Sequence, residues 1–266
     1  MHVVSFGGGT NSAAMIIGMY KKNIPIDLIL FADTGSEMPY TYEFIEVFNS
    51  WLCERGLPLI TPVGHYTKDG KRLTLEDECL RSNTLPSIAY GYKKCSHKHK
   101  ISPQDKYCNN HIRCKKIWAS GERVHKYIGY DYGEARRVNH AIPHDEVNKK
   151  YIVHYPLFDW GWSRDECAEV IMDEGIMLPG KSSCFFCPSM KKHEIKQLWH
   201  QYPELFNRAV EIERKAAPTL ITVKGLGRKW SWEDFYKATN MQMTLFDFED
   251  APGGCICGAP CGCYDG

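Results

Sequence analysis

Strand, helix, strand, helix, strand within residues 2–63 predicts an α/β layered fold built on a parallel sheet. Three observations carry this. Residues 2–6 and 27–32 are short apolar runs of the buried-strand type. Between them, Asn11 to Lys22 carries the apolar residues of a helix that stops near Asn23 and Pro25. After Pro39, Tyr40, Phe44, Ile45, Phe48, Trp51 and Leu52 recur at helical spacing until Gly56.

The remaining elements follow in order. Leu59 to Val63 reads as a third strand. Residues 64–120 read as an irregular, basic, Cys/His-rich insertion. Lys126 to Tyr130 resembles a strand ending in a site loop, and Ser163 with Glu166 forms a capping box for a helix closing at Gly175. Residues 188–216 predict two helices starting near Pro188 and Pro203, and Trp230 to Asp234 opens a last short helix. Little regular structure is expected after Asn240. The expected organisation is a nucleotide-binding unit over 1–190, a helical part over 191–240 and a Cys-rich tail over 241–266.

Composition narrows the class. Apolar content of 43% and charged content of 24% suit an ordinary globular chain. No apolar run approaches the ~20 residues of a membrane helix, and nothing at residues 2–6 resembles a signal peptide. A cytoplasmic protein with no membrane partner is expected. Twelve cysteines then point to metal, cluster or reactive thiols more than to disulfides. The net charge of +1 hides a local bias, because residues 93–137 hold twelve Lys/Arg against four acids. Such a segment is either a solvated basic face or one that meets an anion, with nucleic acid the polymeric candidate.

Ser5-Phe6-Gly7-Gly8-Gly9-Thr10-Asn11-Ser12 leads from a strand directly into a helix. Glycines admit close backbone approach to a phosphate, and the helix start offers free N–H groups and a positive dipole end. No Lys follows the glycines, so the loop is not a Walker A loop. Asp33-Thr34-Gly35, at the end of the second strand, is acidic and hydroxylic where a ribose or metal would be held.

Together these segments resemble the adenine-nucleotide α-hydrolase (PP-loop) superfamily, and within it the phosphoadenosine-phosphosulfate (PAPS) reductase-like family. The motifs span residues 3–190. Ser5 to Ser12 resembles the S-G-G-x-D-S pyrophosphate loop, and Asp33-Thr34-Gly35 the D-T-G segment. Gly129, Glu134, Arg136 and Arg137 are similar to G-x(n)-E-x-R-R, Tyr155-Pro156-Leu157 to Y-P-L, and Cys184-x-x-Cys187-Pro188 to C-x-x-C-P. The resemblance implies a Rossmann-like parallel sheet with helices on both faces and ATP, or PAPS or adenylyl sulfate, as the nucleotide. It implies phosphate contacts at Gly7, Gly8, Gly9, Thr10 and Ser12, metal or ribose contacts at Asp33, and anion contacts at Arg136 and Arg137. The loop departs from the pattern with Gly7 for Ser and Asn11 for Asp. Asn11 offers Mg²⁺ no carboxylate, a departure that bears on hydrolysis and not on binding.

Cys95 followed by Lys100-Ile101-Ser102-Pro103 resembles the C-x(n)-K-x-x-P segment whose Cys, with the C-x-x-C pair, ligates a [4Fe–4S] cluster. Cys95, Cys184 and Cys187 are then the ligands, leaving an open iron or a fourth ligand from Cys108 or Cys114. Spacing also allows a zinc site from Cys95, Cys114, Cys184 and Cys187, or free buried thiols. Pro188 suggests a helix start that would lower the neighbouring thiol pKa values. Cys53, Cys79 and Cys167 read as core residues.

The tail Cys255, Cys257, Cys261 and Cys263 reads as a metal knot or a set of redox thiols, and Gln242-Met243-Thr244-Leu245-Phe246 reads as an apolar strap over the core or, by resemblance, as a peptide that docks on the sliding clamp. Three functions compete: ATP cleavage to AMP and pyrophosphate that activates a target for sulfur or nitrogen transfer, reduction of PAPS or adenylyl sulfate, and a non-catalytic nucleotide- or nucleic-acid-binding module held by metal. The E-C-G-x-H motif of sulfonucleotide reductases is absent from the chain.

Overall fold

A computed structural model describes residues 1–249, with side chains through Met241. The first five elements are β1 (His2–Phe6), α1 (Thr10–Lys21), β2 (Leu28–Ala32), α2 (Pro39–Glu54) and β3 (Ile60–Val63). There follow α3 (Leu75–Ser82), α4 (Lys94–Ser96), α5 (Ser102–Asn110), α6 (Ile112–Ala119) and β4 (Val124–Ile128). Next come α7 (Ala135–Glu146), β5 (Tyr151–His154), α8 (Pro156–Asp159) and α9 (Arg164–Asp173). The chain continues through α10 (Lys192–Gln201), α11 (Pro203–Ala216) and α12 (Trp232–Glu249).

The five strands form one parallel sheet in the order β3-β2-β1-β4-β5. Period-two alternation divides its side chains between two cores. Val4, Phe6, Ile29 and Phe31 face a cluster built with α1, α2 and α9. Val3, Leu28, Leu30 and Ala32 face a second cluster with Cys108, Cys114, Ile117 and Trp118 of α5 and α6. Helices therefore cover both faces, as expected of a Rossmann-like sheet. The strand order reverses between β1 and β4, and the glycine loop leaves β1 at that switch point.

Residues 64–120 are more regular than their composition suggests. Thr74 and Asp77 form a capping box that opens α3, and Pro103 sits in the first turn of α5. Helices α5 and α6 are the crossover from β3 to β4, so this Cys/His-rich segment supplies one layer of the domain. The capping box at Ser163 forms as the sequence predicts, whereas the one at Thr74 is found only in the structure, inside a segment whose lysines and histidines obscure the helical pattern.

A third apolar cluster joins α3 and residues 184–186 to α10, α11 and α12. Buried Glu213 of α11 accepts backbone N–H bonds from Leu226, Trp232 and Glu233, fixing the start of α12. That helix runs to Glu249, well past the short element expected, so Gln242 to Phe246 lies within helical backbone, not in a segment after the last helix. Cys255, Cys257, Cys261 and Cys263 lie outside the described residues. Cys79 and Cys167 are buried as expected, whereas Cys53 is exposed because it lies on the outer face of α2. Among the described residues no helix is long and apolar enough to cross a membrane.

Candidate functional site

The glycine loop is built by its own hydrogen bonds. Gly7 N–H donates to Ser12 Oγ (3.1 Å), and that hydroxyl donates to Gly9 O (3.0 Å). Gly8 takes φ +73°, and a Cβ there would lie 2.7 Å from Thr41 Cγ2. Gly9 precedes α1 with no side-chain cap, so the first N–H groups of that helix face outward. Gly129 lets β4 approach closely: a Cβ on it would sit 3.2 Å from both Asn11 O and Ser12 Cα.

A cavity of about 430 Å³ lies over these groups, lined by Ser5, Gly7, Gly9, Thr10, Asn11, Ser12, Gly129, Glu134 and Arg137. Phe6 is not part of it, because its ring stacks in the core 5.5 Å from Phe48. Gly8 is buried beneath the loop. The two adjacent arginines separate: Arg137 lines the cavity, 4.1 Å over the Tyr130 ring and paired with Glu134, while Arg136 is exposed on α7 and does not line it. One residue along a helix is a rotation of about 100°, which sends neighbouring side chains to different faces. Lys100, Arg164, Lys181 and Ser182 also line the cavity, and the sequence motifs had not marked Arg164, Lys181 or Ser182.

Asn11 meets the missing carboxylate from another element. Its Nδ2 donates to Asp131 Oδ2 (2.8 Å) and Glu134 Oε2 (3.4 Å), and its Oδ1 is buried with no hydrogen-bond partner in the protein. Two acids thus stand beside the loop position where the family pattern has one.

Asp33 does not line this cavity. Its Oδ1 accepts from Gly35 N–H (2.7 Å) and Tyr42 O–H (2.8 Å), and its Oδ2 is paired with Arg72. Both oxygens are thus engaged, Oδ1 by the β2–α2 loop and α2 and Oδ2 by the segment between β3 and α3. Thr34 faces the other way, with Oγ1 bonded to Glu37 Oε1 (3.1 Å) and 3.4 Å from Cys184 Sγ.

A second cavity of about 150 Å³ is lined by Thr34, Cys95, Lys100, Ser182, Cys184 and Cys187, among others. The segment carrying Cys184 is stitched to the β2–α2 loop by an antiparallel bridge between Glu37 and Cys184. Phe185 N–H donates to Ser36 O (2.9 Å), and Met38 N–H to Ser183 O (3.1 Å). Ser182 Oγ donates to Gly7 O, tying the same segment to the glycine loop.

Two expectations are corrected here. Helix α10 starts at Lys192, so Cys187 lies in a turn before it and receives no helix N-terminus. Burial pushes both thiols upward in pKa, Cys184 most, with Glu37 adding to it. Cys114 does not join the trio, because it is packed with Cys108 under the opposite sheet face, its Sγ 3.5 Å from Met1 Sδ. Among the described residues no group of three His, Cys, Asp or Glu side chains is arranged to hold a single metal ion. Three thiols converging on one small cavity, beside the Lys100 ammonium, nevertheless fit the donor chemistry of an iron–sulfur cluster.

The parallel sheet, the glycine loop at its switch point and the adjoining thiol cavity define a nucleotide-binding α/β protein of the PP-loop type. Residues 1–177 match the phosphoadenosine phosphosulfate reductase domain, and the chain belongs to that family. The match ends before Cys184. Two proteins of Methanocaldococcus jannaschii are similar: MJ0066, 24% identical over 87% of this chain, and MJ0973, 25% identical over 79%. The chain spans about half the length of these relatives, 45% and 47%. Among solved structures, the U34-tRNA thiolase NcsA from Methanococcus maripaludis with its [4Fe-4S] cluster matches with 16% identity and a TM-score of 0.40, covering 80% of this chain and 71% of its own.

Proposed function

We propose that the chain binds ATP at the glycine loop and cleaves it between the α- and β-phosphates to activate an acceptor for sulfur transfer. An acceptor oxygen attacks the α-phosphorus and pyrophosphate leaves with the bonding electron pair; a sulfide-level sulfur then attacks the acceptor carbon, and AMP leaves with the carbon–oxygen bonding pair. The loop N–H groups and the α1 dipole stabilise charge on the departing pyrophosphate. Thr10 and Ser12 contact phosphate, while Lys100, Arg137, Arg164 and Lys181 supply counter-charge. Asp131 and Glu134, beside Asn11, provide carboxylates for the Mg²⁺ that accompanies ATP. Asp33 serves the ribose or the metal once Arg72 releases it.

One observation carries the reading: the nucleotide cavity and the thiol cavity share Lys100 and Ser182 as common walls. Cys95, Cys184 and Cys187 would hold a [4Fe–4S] cluster there. Because the cavity offers three thiols, a cluster held there would have one iron without a protein thiolate, open to an exogenous sulfur. The test is product analysis with α-labelled ATP. AMP and pyrophosphate are expected, and ADP would overturn the mechanism. Anaerobically purified protein should show broad visible absorbance from thiolate-to-iron charge transfer, lost in Cys184→Ser; a colourless, zinc-containing protein would contradict the cluster assignment.

The family match supports a second reading, reduction of PAPS or adenylyl sulfate. It predicts sulfite formation with a thiol donor, abolished by removing residues 255–263. The absence of E-C-G-x-H ranks it below ATP cleavage.

A further inference from the structure

Cys95 lines two cavities. One is the thiol cavity; the other, about 390 Å³, shares Leu75, Pro86 and Cys95 with it. The floor of this outer pocket is apolar, with Leu75, Cys79 and Leu85 all buried. Its charged wall is formed by Lys94 and Lys98, with the His97 side chain beside them. Its one lining carboxylate, Glu78, is already bonded to Lys98 Nζ (2.8 Å) and His99 Nε2 (2.6 Å). Lys93 and Lys94 are exposed, with no carboxylate within ion-pair distance among the described residues.

The segment beside the pocket is held in a tight turn. Tyr92 N–H donates to Ser87 O (3.1 Å), and Cys95 N–H donates to Ser87 Oγ (2.7 Å). The turn leaves Tyr92 64% exposed, next to the two free lysines. An exposed aromatic ring, adjacent unpaired cations and a small apolar pocket match the chemistry of a base and its flanking phosphates. An acidic polypeptide would satisfy the lysines but would bring no planar ring for Tyr92 and the apolar floor. In a duplex the bases are stacked away, so the strand must be single or locally opened.

We infer that the outer pocket at Cys95 docks the acceptor, and that the acceptor is a single-stranded nucleic acid with a base on the apolar floor and phosphates along Lys93 and Lys94. This rests on the proposed sulfur-transfer reading, since it gives Cys95 the position between acceptor and thiol cavity. The probes are fluorescein-labelled single-stranded oligoribonucleotides and oligodeoxyribonucleotides of one sequence, read by anisotropy on the full chain without ATP. At least one should bind, and the preferred arm identifies RNA or DNA. The K93E/K94E variant should weaken binding and lower the salt slope by about 1.4, at about 0.7 per single-strand contact. Tyr92→Ala should weaken binding about tenfold with the slope unchanged, as for loss of one stacked base. K115E/K116E, on the exposed surface of α6 and lining neither cavity, should leave affinity unaltered, and far-ultraviolet circular dichroism verifies folding of every variant.

Equal losses in both lysine pairs would reduce the interaction to general charge and overturn the site. Binding of neither oligonucleotide, or capture of polyglutamate instead, would overturn the acceptor class. The assay contains no ATP, so failure of pyrophosphate release leaves its result readable, and failure here leaves ATP cleavage standing.

Discussion

Lys100 Nζ stands 2.8 Å from Glu37 Oε1, and this pair joins the K-x-x-P segment to the loop that follows β2. The Glu37 side chain is fully buried, with its Oε2 unpartnered, while Lys100 keeps 34% of its side-chain area exposed toward the two cavities it lines. Burial alone would lower the lysine pKa, but Glu37 and the nearby Cys184 overcome it and the net shift is upward. The ammonium is thereby fixed in its charged form between a phosphate cradle and a set of thiols.

Lys100→Met should leave a buried carboxylate unpaired and destabilise the fold by about 2–3 kcal/mol, below the full cost of a buried broken pair because the lysine head is partly solvated. Chemical denaturation of Lys100→Met, Glu37→Gln and the double variant measures it. The double variant should recover most of the loss; strictly additive losses would show that the two side chains do not interact.

The arginines of the 136–137 pair should behave differently although the sequence gives them equal standing. Arg137→Ala removes a guanidinium from the nucleotide cavity and should weaken ATP binding about tenfold, the scale of one charge-assisted contact. Arg136→Ala, on the exposed face of α7, should change affinity less than twofold. Isothermal titration of both variants decides this, and equal losses would contradict the placement.

Gly129→Ala tests how the end of β4 meets the start of α1. The added methyl would press on Asn11 and Ser12 backbone at 3.2 Å, tight enough that the loop must shift. About 1–2 kcal/mol of stability should be lost from overpacking, together with ATP affinity. Stability loss with affinity intact would mean that the phosphate cradle does not depend on this contact.

Much of this arrangement could be read from the chain and some could not. The β1–α1–β2–α2–β3 unit was legible because its strands are continuous apolar runs and its helices start or stop at Pro39, Gly56 and Asn23. The convergence of Cys95, Cys184 and Cys187 was legible only through family resemblance, since nothing local in the sequence brings residue 95 to residue 184. Lys181 and Ser182 escaped because their place depends on the bridge between Glu37 and Cys184, and Arg164 because it depends on the packing of α9 against α1, both tertiary contacts. Cys114 was misplaced for the opposite reason: cysteine spacing suggested a ligand, while burial under β1 and β2 makes it a core residue.

A final prediction concerns three imidazoles on the neighbouring strands β1, β4 and β5. His2 on β1, His125 on β4 and His154 at the end of β5 stack in a column, with ring centroids 4.7 Å and 5.1 Å apart. His125 Nδ1 lies 2.9 Å from His154 Nε2, and His2 Nδ1 lies 2.8 Å from Tyr127 Oη. Burial lowers the pKa of all three, and the rings add repulsion to His2 and His154. The N-terminal amine and Arg123 reinforce the shift, while Asp27 and Asp159 oppose it. A base with a folded pKa below its unfolded value near 6.5 binds fewer protons when folded. Stability should therefore be full above that value and fall as pH drops below it, in a window above the range where ordinary carboxylates titrate. Thermal melts from pH 7.5 to 5.5 should show a falling midpoint in the wild type and a flatter profile in His125→Asn, which removes the central ring of the column. A wild-type midpoint that is constant or rises on acidification would show that the column carries no proton-linked strain.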